Sequence, residues 1–480
     1  MHKADSWIDG EWRASKSGSY AESVNPADGR PLEYFADANR DDAKVAISTA
    51  RRSFEASTWA QSPRLRAKTI LDFADRLDAR APEISELLTL EHGKPILQSR
   101  MEVALSAAEL RFYAGLARNV FGRVMEIEPD NYSMLTSEPM GVAGIIVPWN
   151  APIILLIRSL APAMAAGCTS VVKAAPQTAL ANAAVFAALS EVDDLPAGVV
   201  NMFAETGNEG AKELVSSTDV DVISYTGSTE VGKQIMRAGA DNMKRMNLEL
   251  GGSAPCLIFP DADLEKAVPS LIFAGLFISG QQCVAASRLV VHESILEEFT
   301  ERFASALKNV VVGPGIEPAT QMGPMIDAPS RDRILGLIAD ASSDVDWIVK
   351  GGAPGGKLSD GYFVTPSLAR IENKDEALAN CEIFGPILTI QSFADDDEAL
   401  AIANRTSYGL AASVWTGDLC RGQHLARRIE SGTVWLNKHG QLHAEIETGG
   451  YKESGLGRLH GVEGLYEFLQ TKHISWETNS

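Results

Sequence analysis

The chain has 480 residues, 45% hydrophobic and 22% charged, with a net charge of −20 and a pI near 4.9. A single hydrophobic core does not extend to that length, so two or three domains are expected. The acidic balance excludes a general nucleic-acid binder, which needs clustered Lys and Arg against phosphate, and it suits a cytoplasmic protein.

The amino terminus, MHKADSWIDGEW, lacks a charged-then-apolar signal pattern, so secretion is not expected. Residues from about 40 to 119 carry apolar side chains at helical spacing: Ala43, Val45, Ala46, Ala50 and Phe54, then Leu65, Ile70, Leu71, Phe73 and Leu77. The segment 120–137 is polar and reads as extended. The period then changes to short β-rich runs at Val142–Val147, Ser170–Val172, Val199–Phe203 and Val220–Tyr225. Helical segments at 152–166, 178–190 and 208–216 separate these runs. Strands alternating with helices predict a parallel sheet covered on both faces. Ala151–Leu156 is apolar but short, and Arg158 follows; a bilayer span needs about 20 apolar residues, so no membrane segment is expected. A second α/β pattern follows Gly251–Gly252, with a helix near 263–279, a strand at Arg288–Val291, a helix at 294–309 and strands near Ile387–Ser392 and Thr433–Asn437. GGAPGGKLSDG at 351–361 reads as a loop.

Cys168, Cys256, Cys283, Cys381 and Cys420 are odd in number and scattered, which does not read as a disulfide framework. No CxxC or Cys/His cluster suggests zinc, and no metal is expected. His439 and His443 lie close together and read as loop residues.

Several short stretches carry chemistry, each with a plain alternative. TGSTEVG at 226–232 follows a strand and opens a helix, a place where free N–H groups and the helix dipole can cradle a pyrophosphate; an ordinary strand-to-helix turn fits too. Lys173 ends the strand TSVVK, where ligands of open α/β sheets bind, or it is simply solvated. Asn150 in PWN follows the strand VAGIIV and can donate to a developing oxyanion, or can bond its own turn. Cys283 in SGQQCVAASR has small neighbours that leave room for a substrate, and as a nucleophile it needs its thiol pKa lowered; a lone Cys is also a common small hydrophobe. Glu249 in NLELGG is a general-base candidate if apolar surroundings raise its pKa, and a solvent-facing strand residue otherwise.

Taken in order along the chain, PWN, the strand-end Lys, GSTEVG, LELGG, GQxC and ExFGP resemble the aldehyde dehydrogenase superfamily, from NPADGRPL at 25–32 to GGYKESGLGR at 449–458. The resemblance implies Cys283 as nucleophile, Glu249 as the base for the deacylating water, and Asn150 with the Cys283 backbone N–H as the oxyanion hole. It implies Lys173 at an adenosine ribose, Gly227, Ser228 and Gly232 at the pyrophosphate with Trp149 alongside, and Glu382 and Phe384 at the nicotinamide ribose and ring. It further implies a Rossmann-like NAD(P)-binding domain (1–119 and 141–248), an α/β catalytic domain (249–445), and a small β oligomerisation segment (120–140 and 458–480) in a homodimer or homotetramer.

Two departures stand out. NAD-preferring relatives commonly carry Glu three residues after the lysine; here Pro176 stands there, which removes a ribose partner but also a charge that repels NADP. An aromatic is common directly after the PWN asparagine and again further along the helix; here Ala151 and Arg158 stand there. That pattern is similar to the branch acting on aromatic aldehydes such as salicylaldehyde, vanillin and benzaldehyde. Arg158 would then face a substrate oxygen, or form a buried ion pair with Glu445 or Glu447. Aliphatic aldehydes or semialdehydes are the alternative substrates, and a cofactor-independent thiol hydrolase the alternative activity. The latter lacks a nearby His motif to activate Cys283.

Overall fold

The computed structural model describes residues 4–341, 345–372 and 376–478. It is a mixed α/β fold, the class expected from the strand–helix alternation. The amino-terminal third carries four helices, Arg40–Ala56, Pro63–Ala79, Ala81–His92 and Ile96–Leu116. The β-rich runs build an eight-stranded sheet whose five central strands are parallel, in the spatial order Val200–Ala204, Thr169–Ala174, Val142–Ile146, Val222–Thr226 and Arg245–Glu249. Strand order reverses beside Val142–Ile146, which leaves a crevice at the carboxyl ends of that strand and Val222–Thr226, the usual ligand position in open α/β sheets. The helix Pro152–Ala166 is apolar almost all round and is buried along nearly its whole length. Its one charged residue is Arg158.

A second sheet has seven strands, parallel except at one edge, in the order Val345–Val349, Ser367–Ile371, Ile387–Phe393, Arg288–His292, Pro255–Ile258, Ala411–Trp415 and Thr433–Leu436. The last long strand of the first sheet ends at Glu249 and the first of the second starts at Pro255. Residues 351–361 form a loop with one short turn, Gly356–Leu358. The helix expected over 263–279 stops earlier: it runs Leu264–Leu276, and Ile278 and Ser279 then take left-handed backbone at φ of 53° and 56°. A third sheet is antiparallel and joins Arg123–Glu128, Asn131–Pro139 and Leu469–Glu477. Among the described residues no helix is long and apolar enough to cross a membrane.

Candidate active site

Three strand ends meet at the crevice. Val142–Ile146 leads into Pro148, Trp149 and Asn150; Val222–Thr226 leads into Gly227; Arg245–Glu249 ends on Glu249 itself. Asn150 is 6% exposed, and its Nδ2 donates to the Gln281 carbonyl at 3.0 Å, not to its own turn. The same residue is held from behind. Lys94 Nζ donates to the Asn150 carbonyl at 2.8 Å and pairs with Glu102 at 2.6 Å. Glu102 Oε1 in turn accepts the Ile153 N–H at 2.8 Å, at the start of the helix that Asn150 precedes. A carboxylate at a helix amino terminus is favoured by the unpaired N–H groups and the dipole.

Cys283 sits just beyond the backbone kink. Gly280 has φ +73°, and a Cβ there would overlap the Gly385 carbonyl, so only glycine fits. Gln98 Oε1 accepts the Ile278 N–H at 3.0 Å, Ser279 Oγ donates to Gly323 O at 2.8 Å, and Gln281 Oε1 accepts the Ile326 N–H at 3.0 Å. Surrounding side chains thus over-determine a left-handed stretch that non-glycine residues resist, a kind of strain that concentrates at functional sites. Cys168 and Cys256 are fully buried, with thiols pushed up to about 12 by burial, as inert core residues are. Cys283 is half-buried and lines the cavity beside Asn150 and Glu249. Its thiol is not lowered, as a nucleophile would need. Burial pushes it up to about 11, Arg158 pulls it down, and Glu249 and Glu382 push it up again.

Glu249 does not face solvent. It is 4% exposed, and burial pushes its carboxyl up to about 7 against an opposing pull from Arg158. Arg158 Nη1 lies 3.6 Å from Glu249 Oε2, and Arg158 Nη2 donates to Thr226 Oγ1 at 3.0 Å. Glu249 is therefore the acid that meets this arginine, in place of the expected Glu445 or Glu447. Glu447 instead accepts the Val462 and Glu463 N–H groups at 2.9 and 3.2 Å, and Glu445 lines the cavity. Arg158 is carried toward Glu249 by its contact with the end of the neighbouring strand, which no sequence spacing reports.

The cofactor candidates flank the same crevice. Ser228 caps the helix Thr229–Gly239, its Oγ accepting the Val231 N–H at 3.4 Å, and the Gly227 N–H donates to Glu249 O at 3.0 Å. A Cβ on Gly232 would press within 2.5 Å of Leu250 Cδ2, so this glycine serves helix-to-strand packing. Lys173 is half-buried at its strand end; burial lowers its ammonium pKa and Glu205 opposes. Pro176 opens a short turn, Pro176–Thr178. Trp149 meets Phe384 edge-on at 5.6 Å and His92 at 5.9 Å. Glu382 Oε1 accepts the Gly252 N–H at 3.2 Å, and burial pushes its carboxyl up to about 7. Phe384 has φ +50°, and Arg333 Nη2 donates to its carbonyl at 3.1 Å. A helix amino terminus, a strand-end ammonium, a partly buried carboxylate and an aromatic pair make a donor set that fits a dinucleotide.

One cavity of about 350 Å³ is lined by Asn150, Ala151, Arg158, Glu249 and Cys283 together with apolar groups including Leu105, Ile154 and Phe273. It also holds residues the sequence reading missed. His460, at φ +59°, takes Glu109 at 2.9 Å, both buried. His439 lies in a loop as expected, but it is buried: Nε2 lies 2.7 Å from Val284 O and Nδ1 3.0 Å from Ser413 Oγ, and burial lowers its pKa to about 4. Neutral His439 donates to the carbonyl next to the Cys283 residue and accepts from the serine.

Comparison with known proteins gives a concordant result. The profile of the Aldehyde dehydrogenase family matches residues 12–474. Betaine aldehyde dehydrogenase of Bacillus subtilis is 36% identical over 472 residues, covering 98% of this chain and 96% of that one. Phenylacetaldehyde dehydrogenase of Pseudomonas fluorescens is 36% identical over 476 residues, covering 97% and 94%. The crystal structure of betaine aldehyde dehydrogenase from Staphylococcus aureus in complex with NAD+ superposes with a TM-score of 0.97 at 34% identity, covering 100% of this chain and 96% of that one. With its crevice, cysteine loop and buried glutamate arranged as described, this chain belongs to the aldehyde dehydrogenase family.

Proposed function

We propose that this protein oxidises an aldehyde to its carboxylic acid, with NAD as electron acceptor, through a thioester on Cys283. The observation that carries this reading is that Cys283, Asn150 and Glu249 line one cavity. The Cys283 sulfur, losing its proton to Glu249 or to solvent, adds to the aldehyde carbon. A C–S bond forms and the carbonyl oxygen becomes an oxyanion. Asn150 Nδ2 has one hydrogen on Gln281 and a second for that oxygen. A dinucleotide would be held by Lys173 at its adenosine ribose, by Ser228 at its pyrophosphate, and by Glu382 and Phe384, with Trp149 against Phe384, at its nicotinamide end. It would supply the acceptor for the hydride, two electrons and one proton, that leaves the same carbon. The thioester is then hydrolysed. Glu249, titrating near neutrality, takes a proton from water; the hydroxide adds, the C–S bond breaks, and the sulfur keeps the electron pair as the acid leaves. Aldehyde, NAD+ and water become carboxylate, NADH and protons.

Finer assignments belong to the same proposal. Relatives named for betaine aldehyde and for phenylacetaldehyde stand at equal identity, so overall similarity does not choose the substrate. Leu105, Ile154, Leu155, Phe273 and Phe277 line the cavity, and Ala151 leaves it wide, which favours an aromatic aldehyde. Pro176 leaves NADP tolerated beside NAD. The three-stranded sheet is the subunit contact of a dimer or tetramer.

The test is reduced-nicotinamide absorbance with benzaldehyde, 2-hydroxybenzaldehyde, phenylacetaldehyde, hexanal and succinic semialdehyde, each with NAD and with NADP. Turnover with one carboxylic acid formed per reduced cofactor is expected, fastest for an aromatic. No reduction with any pair would overturn the proposal, and ester cleavage without cofactor would favour the thiol hydrolase.

A further inference from the structure

The Arg158–Glu249 contact joins two groups that are held unequally. The guanidinium is anchored, with Nη2 on Thr226 Oγ1 at 3.0 Å. The carboxyl is not: its nearer oxygen is 3.6 Å from Nη1, too long for a hydrogen bond, and among the described residues its Oε1 has no hydrogen-bond partner. Arg158 Nε likewise has none. Both side chains are about 5% exposed and both line the cavity that holds Cys283. The fixed cation therefore holds its neighbour by charge while leaving it free to turn toward the thioester.

We propose that Arg158 is a positioning residue for Glu249: it keeps the carboxyl ionised and aimed, and so sets the pH at which the acyl-enzyme is hydrolysed. This deepens the proposed reaction and rests on Glu249 being its base. Other charges also reach Glu249. Arg458 favours its ionised form and Glu467 opposes it; Glu467 Oε1 accepts the Arg458 backbone N–H at 3.2 Å, and Arg245 adds an ion pair to Glu467 at 3.3 Å. Cys283, neutral at rest, faces it from the kinked loop, and the Glu109–His460 pair, Glu445, His439 and His443 line the same cavity. Among all of these, Arg158 has the largest influence after burial.

An opposite charge at this range typically moves a carboxyl by about 1–3 units. Removing it should raise the Glu249 midpoint, and a rise of one to two units cuts the ionised fraction at neutral pH by about 5- to 50-fold. The experiment pairs two measurements on Arg158→Met, Arg158→Lys and the parent. Infrared titration of the carboxyl band that vanishes in Glu249→Gln reads the ionisation without turnover. The pH profile of thioester hydrolysis, followed after the burst of reduced cofactor, reads its effect. The expected result is a midpoint moved upward in Arg158→Met, hydrolysis slowed at neutral pH and restored at alkaline pH, with Arg158→Lys close to the parent. Should Arg158→Met not fold, Thr226→Val releases the anchor and should give a smaller upward shift. An unmoved midpoint, or a loss equal at every pH, would overturn the proposal. A midpoint that moves in a protein reducing no cofactor with any aldehyde would overturn the dehydrogenase reading and leave the coupling standing.

Discussion

Glu249 ends a strand with its carboxyl buried, and its raised pKa has consequences for both rate and stability. In the proposed mechanism, Glu249→Gln forms the thioester but cannot hydrolyse it. A single burst of reduced cofactor is expected, then a steady rate lower by about 10²–10⁴, as for a lost general base. Stopped-flow absorbance checks this, and an unchanged steady rate would remove Glu249 from the role. Stability moves in the opposite sense. The folded carboxyl titrates at about 7 against an ordinary 4.5, so the unfolded chain gives up this proton first as pH rises. The parent loses stability through this group between those two values, while Gln has no proton to lose. The Tm of Glu249→Gln relative to the parent should climb across that window and level off above it. Pro176 supports a third expectation. Pro176→Glu places a carboxylate three residues after Lys173, where it can accept from ribose hydroxyls and repel a 2′-phosphate. The NAD:NADP ratio of kcat/KM should rise; a constant ratio would mean that position 176 does not face the ribose. The proposed nucleophile and base are legible as residue types in GQQC and LELGG. Their titration is not, because burial is a property of everything packed around them.

The helix Ile96–Leu116 shows why an element can mislead. It buries Val103, Ala107, Leu110 and Tyr113 as an amphipathic helix does, but it buries Gln98, Glu102 and Glu109 with them and leaves Leu97, Met101 and Leu105 at 61%, 40% and 47% exposure. Each buried polar group has a partner in the site: Gln98 holds the kink before Cys283, Glu102 holds Lys94 and the start of the next helix, and Glu109 holds His460. A periodicity reading looks for an apolar inner face and so passes over all three. Lys94 is about 1% exposed, and Glu102 neutralises it. Lys94→Met should therefore cost about 3–5 kcal/mol of stability, the usual result of stranding one member of a buried pair. Lys94→Met with Glu102→Leu should recover part of that loss, because no charge is then left buried. Chemical denaturation of the three proteins measures it. Activity should stay low in both variants, since the Asn150 carbonyl loses its donor.

At the scale of the whole molecule, the antiparallel sheet made by residues 123–128, 131–139 and 469–477 stands out. Its register aligns Val124, Met134 and Ile474 in one row and Glu126, Tyr132 and Trp476 in the next, on the same face. Val124 is 61% exposed, Ile474 40% and Trp476 38%. Contiguous apolar surface on an open sheet marks a contact site. For the oligomer proposed above, Val124→Lys with Ile474→Lys should lower the assembly state in sedimentation velocity while the far-ultraviolet dichroism is kept; an unchanged sedimentation coefficient would overturn this sheet as the contact. The sequence by itself determined the α/β class, through strands alternating with helices, and the family, through six short motifs in fixed order. Both are local signals, carried by residues adjacent in the chain. Only the tertiary structure decided that Arg158 meets Glu249 and not Glu445 or Glu447, that Trp149 packs on Phe384, and that Lys94 and Glu102 stand behind Asn150. These contacts join residues far apart in the chain. They are fixed by how sheets, helices and the kinked loop at Gly280 stack, and by which charges that stacking removes from water.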